Sequence, residues 1–185
     1  GSFRGGAGIT TSALAFGGYT TTYVAINESW NGSSWSEVAD LNTGAGYGCQ
    51  TIGSSNTNAL ACGGYTGTAD TANTETWNGT SWTETGNIPT STANLGGAGT
   101  NTAGLSFAGR TPSLTTATNE FTGAGADIGA WSTATAMNTA RNGLGGAGTY
   151  TAALGFGGSP GYQTITELYD GSSWTEVADL TTGRS

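Results

Sequence analysis

The sequence predicts an all-β protein, a four-bladed β-propeller with four antiparallel strands in each blade. A short apolar segment ending in a glycine doublet (once Ala-Gly) recurs four times, and a hairpin with aromatic flanks follows each copy. The doublets end at Gly18, Gly64, Gly109 and Gly158, 45 to 49 residues apart. Units of this length built from short strands are typical of propeller blades, and no segment has a convincing helical period. The expected blades are about residues 3–46, 47–93, 94–142 and 143–185 of one domain, 1–185.

The hairpin joins the third and fourth strands of each unit. Residues 30–35 and 77–82 read Trp-Asn-Gly-Ser/Thr-Ser-Trp, and residues 169–174 keep the pattern with Tyr first and Asp-Gly at the turn. Asn-Gly or Asp-Gly between aromatic flanks predicts a tight hairpin, because both turn positions must accept positive φ. Residues 121–131 have the same flanks around an inserted loop.

The first two strands of each unit differ in the size of their side chains. The first is nearly bare, as in Gly-Gly-Ala-Gly-Thr at 145–149, whereas the second alternates small and large residues up to the doublet. The innermost strands of a propeller crowd its axis, and a small ring crowds them most. We therefore expect the Gly/Ala-rich strand to line the axis and the second strand to bury one face between blades.

The ends of the sequence bear on how the ring closes. In repeat register Ser185 aligns with Asn142, and Phe3 aligns with the next position, Gly143. The chain from Phe3 to Ser185 is therefore a whole number of units, and we expect the ring to close blade against blade, without a shared strand. The alternative is that four units form half of a larger ring made by two chains.

Composition excludes several classes of function. The chain has 12 acidic residues against 4 Arg and a net charge of -8, which argues against binding nucleic acid or an anionic membrane. It contains no histidine, the commonest general base and metal ligand. No apolar run approaches the roughly 18 residues that cross a bilayer. We therefore expect no nucleic-acid partner, no membrane insertion and no metal or other cofactor.

The repeat resembles the kelch repeat. The last unit has a Gly doublet ending at Gly158, an aromatic residue at Tyr169, a tryptophan five residues later at Trp174 and a closing arginine, Arg184. The arginine recurs as Arg141 in the third unit and is missing from the first two. The resemblance covers the whole chain and implies a propeller.

The amino-acid sequence of the repeat also resembles repeat arrays in virion structural and tail-fibre-like proteins of marine cyanobacterial phages. The similarity lies in segments such as Thr-Ala-Ala-Leu-Gly-Phe-Gly-Gly at 151–158 and Trp-Asn-Gly-Thr-Ser-Trp-Thr-Glu at 77–84, and in the Lys-poor, Thr/Gly-rich composition. This resemblance implies an extracellular or virion location, with other virion or surface proteins as partners. Secreted bacterial adhesins with similar arrays are the alternative.

The carboxylates favour a structural rather than a catalytic role. Four of them stand one or two residues before the aromatic of the third strand: Glu28, Glu75, Glu120 and Glu167. A residue present once per blade is better explained as a hydrogen-bond acceptor than as one of the paired carboxyls of a glycosidase. Only Asp70 and Asp127 clearly stand outside the periodic positions. A kelch-type copper oxidase would need histidine ligands, so we expect no enzyme.

Tryptophan and cysteine positions also follow the repeat. We expect one tryptophan of the fourth strand in each unit to be a wedge between blades: Trp35, Trp82, Trp131 and Trp174. Cys49 and Cys62 lie on the first two strands of the second unit, where a disulfide and two buried thiols are both open possibilities.

Variation between the units is concentrated in the connections between second and third strands. Strand alternation places these connections at the same face of the disc as those between blades. That face would gather seven residues: Tyr19, Tyr65, Arg110, Tyr162, Arg141, Arg184 and Tyr47. Tyr and Arg are favoured at binding hot spots, so the first six are our candidate ligand-binding residues. The alternative is that these loops are simply the solvent-exposed rim of the disc and bind no ligand.

These observations favour a non-enzymatic structural or adhesive module of a virion or fibre. A carbohydrate-binding, lectin-like domain of a secreted adhesin is the alternative. The expected partners are virion or surface proteins and glycans, and a homo-oligomer is compatible with the repeat.

Overall fold

The computed structural model describes residues 5–45, 50–123 and 129–185, and its regular structure is entirely β-strand. Blade 1 contains β1 (Gly5–Ile9), β2 (Ser12–Phe16), β3 (Asn27–Trp30) and β4 (Trp35–Val38). Blade 2 contains β5 (Gln50–Ser55), β6 (Asn58–Cys62), β7 (Thr74–Trp77) and β8 (Trp82–Glu84). Blade 3 contains β9 (Gly96–Gly99), β10 (Ala103–Phe107), β11 (Thr118–Thr122) and β12 (Ala130–Ala134). Blade 4 contains β13 (Gly145–Thr149), β14 (Ala152–Phe156), β15 (Thr166–Tyr169) and β16 (Trp174–Glu176).

Each blade is a four-stranded antiparallel sheet whose strands pair in chain order. The predicted four-bladed propeller is therefore confirmed. Within these ranges the chain has no helix capable of crossing a membrane. The choice between a disulfide and two buried thiols stays open, because Cys49 lies outside the described residues.

The predicted hairpins form, but only the glycine of each turn has positive φ (Gly32, Gly79 and Gly171), and the Asn or Asp before it does not. Trp30 lies directly opposite Trp35, and Tyr169 lies opposite Trp174. At the blade 4 turn, the Asp170 carboxylate accepts hydrogen bonds from the backbone and hydroxyl groups of Ser172 and Ser173. These bonds, above all that from the Ser173 backbone, lower the pKa of Asp170 to about 2.

The Gly/Ala-rich strands line the axis, as the sequence predicts. β1, β5, β9 and β13 surround a central cavity of about 270 Å³. The inner strands of neighbouring blades come so close that a Cβ atom on Gly146 would lie 2.3 Å from the carbonyl oxygen of Gly97. Backbone approach, rather than side-chain chemistry, explains the composition of these strands.

Tryptophans of the fourth strand fill the interfaces between consecutive blades. Trp82 packs edge-on against Phe16 of the preceding blade, with ring centroids 4.8 Å apart, and Trp174 packs against Phe107 at 4.9 Å. The Trp174 indole also donates a 3.0 Å hydrogen bond to the Thr118 hydroxyl. The predicted wedge is thus confirmed for Trp82 and Trp174, both of which are buried.

Trp35 does not follow this pattern. Its side chain is 48% exposed, against 6% for Trp82 and Trp174. Three clusters of buried residues fill the interfaces between blades 1 and 2, 2 and 3, and 3 and 4. Among the described residues no fourth cluster joins blade 4 to blade 1. The expectation that Trp35 is a buried wedge is therefore corrected.

Two of the four carboxylates act as the structural acceptors that the sequence predicts. Glu75 accepts from the backbone and side-chain amides of Asn42, at 2.9 and 3.0 Å, and from the Thr43 backbone at 3.0 Å. Glu167 accepts the equivalent bonds from Asn138 and Thr139. Each carboxylate therefore anchors its blade to the loop that leaves the preceding blade.

Glu120 occupies a different position from the one that we expected. It lies opposite Leu105, whereas Glu75 lies opposite Ala61, so the two carboxylates project from opposite faces of their sheets. A shift of one residue along a strand produces this reversal. Glu120 therefore faces blade 4, where its Oε1 accepts a 2.8 Å hydrogen bond from the Tyr169 hydroxyl.

Alkaline pH is expected to weaken this contact between blades 3 and 4. Burial, followed by the hydrogen bond to Glu120, raises the pKa of Tyr169 to about 12. Because an unfolded tyrosine ionises near pH ~10, this stabilisation is complete below that pH and is lost as the pH rises towards about 12. Thermal unfolding across this pH range measures the loss of stability. In the Tyr169→Phe variant this loss should be smaller, because the variant has no hydroxyl group to ionise at this position. An identical alkaline profile in both proteins would contradict the assignment.

Candidate functional site

The connections between second and third strands lie beside the loops that join blades. In every blade the second residue of the doublet donates a backbone hydrogen bond to the loop that leaves the blade. These bonds, 2.7 to 2.9 Å long, are Gly18 to Ala45, Gly64 to Thr92, Gly109 to Arg141 and Gly158 to Arg184. Both sets of loops thus form one end of the disc, hereafter the loop end, as strand alternation predicts.

Three tyrosines lie in contact at the loop end. Tyr19 and Tyr23, in the same loop of blade 1, have ring centroids 5.1 Å apart. Tyr23 meets Tyr65 of blade 2 edge-on at 5.5 Å. A Cβ atom on Gly67, whose φ is +101°, would lie 2.7 Å from Tyr23, so only a glycine lets the blade 2 loop pack this closely. We call these rings, with Arg110 and Asp70, the tyrosine row.

Arg110 extends the row into blade 3. Its guanidinium carbon lies 6.0 Å from the centre of the Tyr65 ring, at the outer limit of a cation–π contact. Its Nη2 also lies 3.3 Å from Asp70 Oδ1, which forms an ion pair between blades 2 and 3. The row therefore joins loops from three blades.

The row offers two kinds of surface to a ligand. Tyr19 is partly exposed, so part of its aromatic side chain is accessible to a ligand. About a third of the Arg110 side chain is exposed, so its guanidinium can donate hydrogen bonds outward while Asp70 balances its charge. An aromatic surface beside a neutralised, planar donor suits an uncharged ligand that has both apolar faces and hydroxyl groups.

Arg141 does not belong to this surface, which corrects our expectation. Its side chain is completely buried and reaches into blade 4. The guanidinium donates to the backbone carbonyls of Gly157, Ile165 and Gly155 at 2.9, 2.6 and 3.2 Å, and to Glu167 Oε1 at 3.1 Å. Burial lowers the pKa of Arg141, and the Glu167 carboxylate opposes that shift. Arg141 therefore clamps two blades together.

The remaining candidates lie apart from the row. Tyr162, on the blade 4 loop, is 71% exposed, and no ring contact joins it to the row within the described ranges. Arg184 is exposed, and its Nε donates a long 3.5 Å bond to the Thr182 carbonyl. Tyr47 lies outside the described residues.

Sequence reasoning missed two members of the row. Tyr23 was available as a second aromatic in the loop of Tyr19, and an isolated bridge between their backbones brings the two rings together. Asp70 was recognised only as a carboxylate outside the periodic positions. Its pairing with Arg110, 40 residues away, depends on how two loops fold and has no signal in the repeat.

Within the described part of the chain, His, Cys, Asp and Glu form no group of three or more that could hold a metal ion. Asp127, the other carboxylate outside the repeat, lies outside the described residues.

Comparison with known proteins supports the fold alone. No protein-family model and no curated protein matches the chain. Among solved structures, the chain is similar to one described as "Structure of YjhT", with a TM-score of 0.79 and 14% sequence identity. The match covers 100% of this chain and 72% of that one.

Proposed function

We propose that this chain is a non-enzymatic binding module that attaches a virion or fibre to an external surface through the tyrosine row. One observation carries the proposal: loops from three blades bring aromatic and charged side chains together at one end of the disc. The repeat does not require these residues, because the corresponding loops of the other units differ in sequence.

The different positions of the periodic and the variable residues support a binding role. Periodic residues build the blades, and the loops that vary carry the exposed Tyr and Arg side chains. A rigid scaffold that presents variable loops is a common design for binding, and Tyr and Arg are enriched where binding energy concentrates.

The extracellular setting rests on sequence resemblance. The kelch-like repeat pattern and the similarity to arrays of phage virion and tail-fibre-like proteins support a module displayed on a particle. The polar, Lys-free and net acidic composition is compatible with that location.

A carbohydrate is the ligand class that the row favours. Tyrosine faces stack on the apolar faces of sugar rings. Arg110 and Asp70 offer a donor and an acceptor 3.3 Å apart, a spacing that suits neighbouring hydroxyl groups. A lectin-like domain of a secreted adhesin would use the same surface.

Glycan binding is expected to depend on Tyr65 and not on Tyr162. On a glycan array, Tyr65→Ala should weaken binding of the preferred glycan about tenfold or more, because Tyr65 contacts both Tyr23 and Arg110. Tyr162→Ala is the matched control, since it removes an exposed tyrosine of the same end that stands outside the row.

Two results would count against the proposal. Equal losses of glycan binding in both variants would show that the tyrosine row is not the contact surface. A wild-type chain that binds neither glycans nor intact bacterial cells would contradict the adhesive role.

A further inference from the structure

The two end faces of the propeller are exposed, although both have the design of a blade interface. Inner strands meet in the order β1 with β5, β5 with β9, and β9 with β13. In the described part of the chain, β13 and β1 make no comparable contact. Blade 4 therefore exposes the face that blades 1 to 3 each bury against the following blade. Blade 1 exposes the face that the other blades each bury against the preceding blade.

The end face of blade 4 is apolar. Leu154 lies directly opposite Ala147 on one neighbouring strand and Leu168 on the other, so the three form a row across the sheet. Leu154 is 37% exposed. The leucines at its position in the other blades are all buried: Leu14, Leu60 and Leu105.

The end face of blade 1 carries the complementary aromatic residues. Trp30 and Trp35 stack at 5.5 Å, as Trp77 and Trp82 do at 5.4 Å in blade 2. The blade 2 pair is buried, whereas Trp30 is half-buried and Trp35 is exposed. The two pairs have the same sequence spacing and similar stacking and differ in their burial.

A buried acceptor on blade 4 lacks its donor. The Thr166 hydroxyl is buried and has no hydrogen-bond partner. At the same repeat position, Thr118 accepts from the indole Nε1 of Trp174 at 3.0 Å, and Thr74 accepts from Trp131 at 3.1 Å. In both cases the donor belongs to the next blade, and Trp35 has the corresponding repeat position; between blades 1 and 2 the bond is not formed, since Asn27 Oδ1 and Trp82 Nε1 both lack a partner.

We propose that blade 4 of one copy of this chain packs against blade 1 of a second copy. Trp35 of the partner subunit then stacks on Phe156 and donates to the Thr166 hydroxyl, as Trp174 does with Phe107 and Thr118. Trp30 of the partner subunit covers Leu168, at the position where Tyr169 meets Glu120.

A second copy is the occupant that the structure favours, because each copy carries both halves of one interface. The contact continues the blade-to-blade packing already formed three times within the chain. Two copies that contact each other through both end faces are related by a two-fold axis. The contact uses no residue of the tyrosine row, so it stands independently of ligand binding.

The molar mass in solution tests this assembly. Sedimentation equilibrium from low to high micromolar concentration should give the mass of two chains for the wild type. Trp35→Arg and Leu154→Arg should each give the mass of one chain, because each substitution damages one half of every contact. An equimolar mixture should recover two-chain complexes, since each variant retains the opposite face intact.

Ile9→Ala is the control, because Ile9 is exposed at the far end of β1 and should leave the mass unchanged. If an arginine variant fails to fold, Trp35→Gln and Leu154→Gln test the same pattern. A single-chain mass for the wild type throughout the range would overturn the proposal, whether blade 1 closes on its own blade 4 or stays exposed. A two-chain mass that survives both substitutions would also overturn it.

Discussion

Replacement of Arg141 by alanine is expected to lower the free energy of unfolding by about 3–5 kcal/mol, the usual cost of breaking a buried ion pair. The substitution leaves the backbone carbonyl groups of Gly155, Gly157 and Ile165, the first two of them buried, without the guanidinium that they bind. It also leaves the Glu167 carboxylate buried without its counter-ion. Both effects act on the interface between blades 3 and 4.

Thermal unfolding measures this loss, and the chain supplies its own control. For a protein of this size the expected loss corresponds to a fall in Tm of roughly 10 °C. Arg184 stands at the same repeat position as Arg141, but its side chain is exposed, so Arg184→Ala should cost less than about 0.5 kcal/mol. Similar effects for the two substitutions would show that the buried clamp is wrongly assigned.

Replacement of Trp174 by alanine is expected to cost about 3–5 kcal/mol, as for other buried tryptophans. The substitution removes the ring that packs on Phe107 and leaves the buried Thr118 hydroxyl without its donor. Chemical denaturation followed by circular dichroism measures the loss. At concentrations where the chain is monomeric, Trp35→Ala should change stability far less, because Trp35 is half exposed. Equal losses at low concentration would mean that Trp35 is buried within its own chain.

Periodic side chains made the scaffold predictable from the sequence. The hairpins, the Gly/Ala-rich inner strands and the buried Trp82 and Trp174 all follow from features that recur at fixed spacing. Each depends on contacts within a blade or with an adjacent blade, so the same residues produce the same structure wherever a neighbour is present.

Two of the departures from prediction have a common physical origin in the neighbouring blade. Arg141 and Arg184 are equivalent in sequence, but only the Arg141 side chain enters a following blade, whereas Arg184 is exposed. Trp35 matches Trp174 in sequence, but no described blade covers it and its side chain is 48% exposed. Glu120 differs for another reason, because a displacement of one residue along β11 turned it to the opposite face.

The tyrosine row was predictable only in part. The loops that vary and their Tyr and Arg residues are visible in the sequence. The contact of Tyr23 with Tyr65, and the pairing of Asp70 with Arg110, join loops of different blades. Loop conformation decides such contacts, and a repeat alignment carries no information about it.

The solvent exposure of the six tryptophans tests most directly whether periodic residues bury themselves only where a neighbouring blade exists. Hydroxyl-radical footprinting read by mass spectrometry reports on each tryptophan separately. At low protein concentration we expect Trp35 to be oxidised much faster than Trp82 and Trp174, and to become protected as the concentration rises. Protection of Trp35 equal to that of Trp174 at the lowest concentration would contradict this dependence on a neighbouring blade.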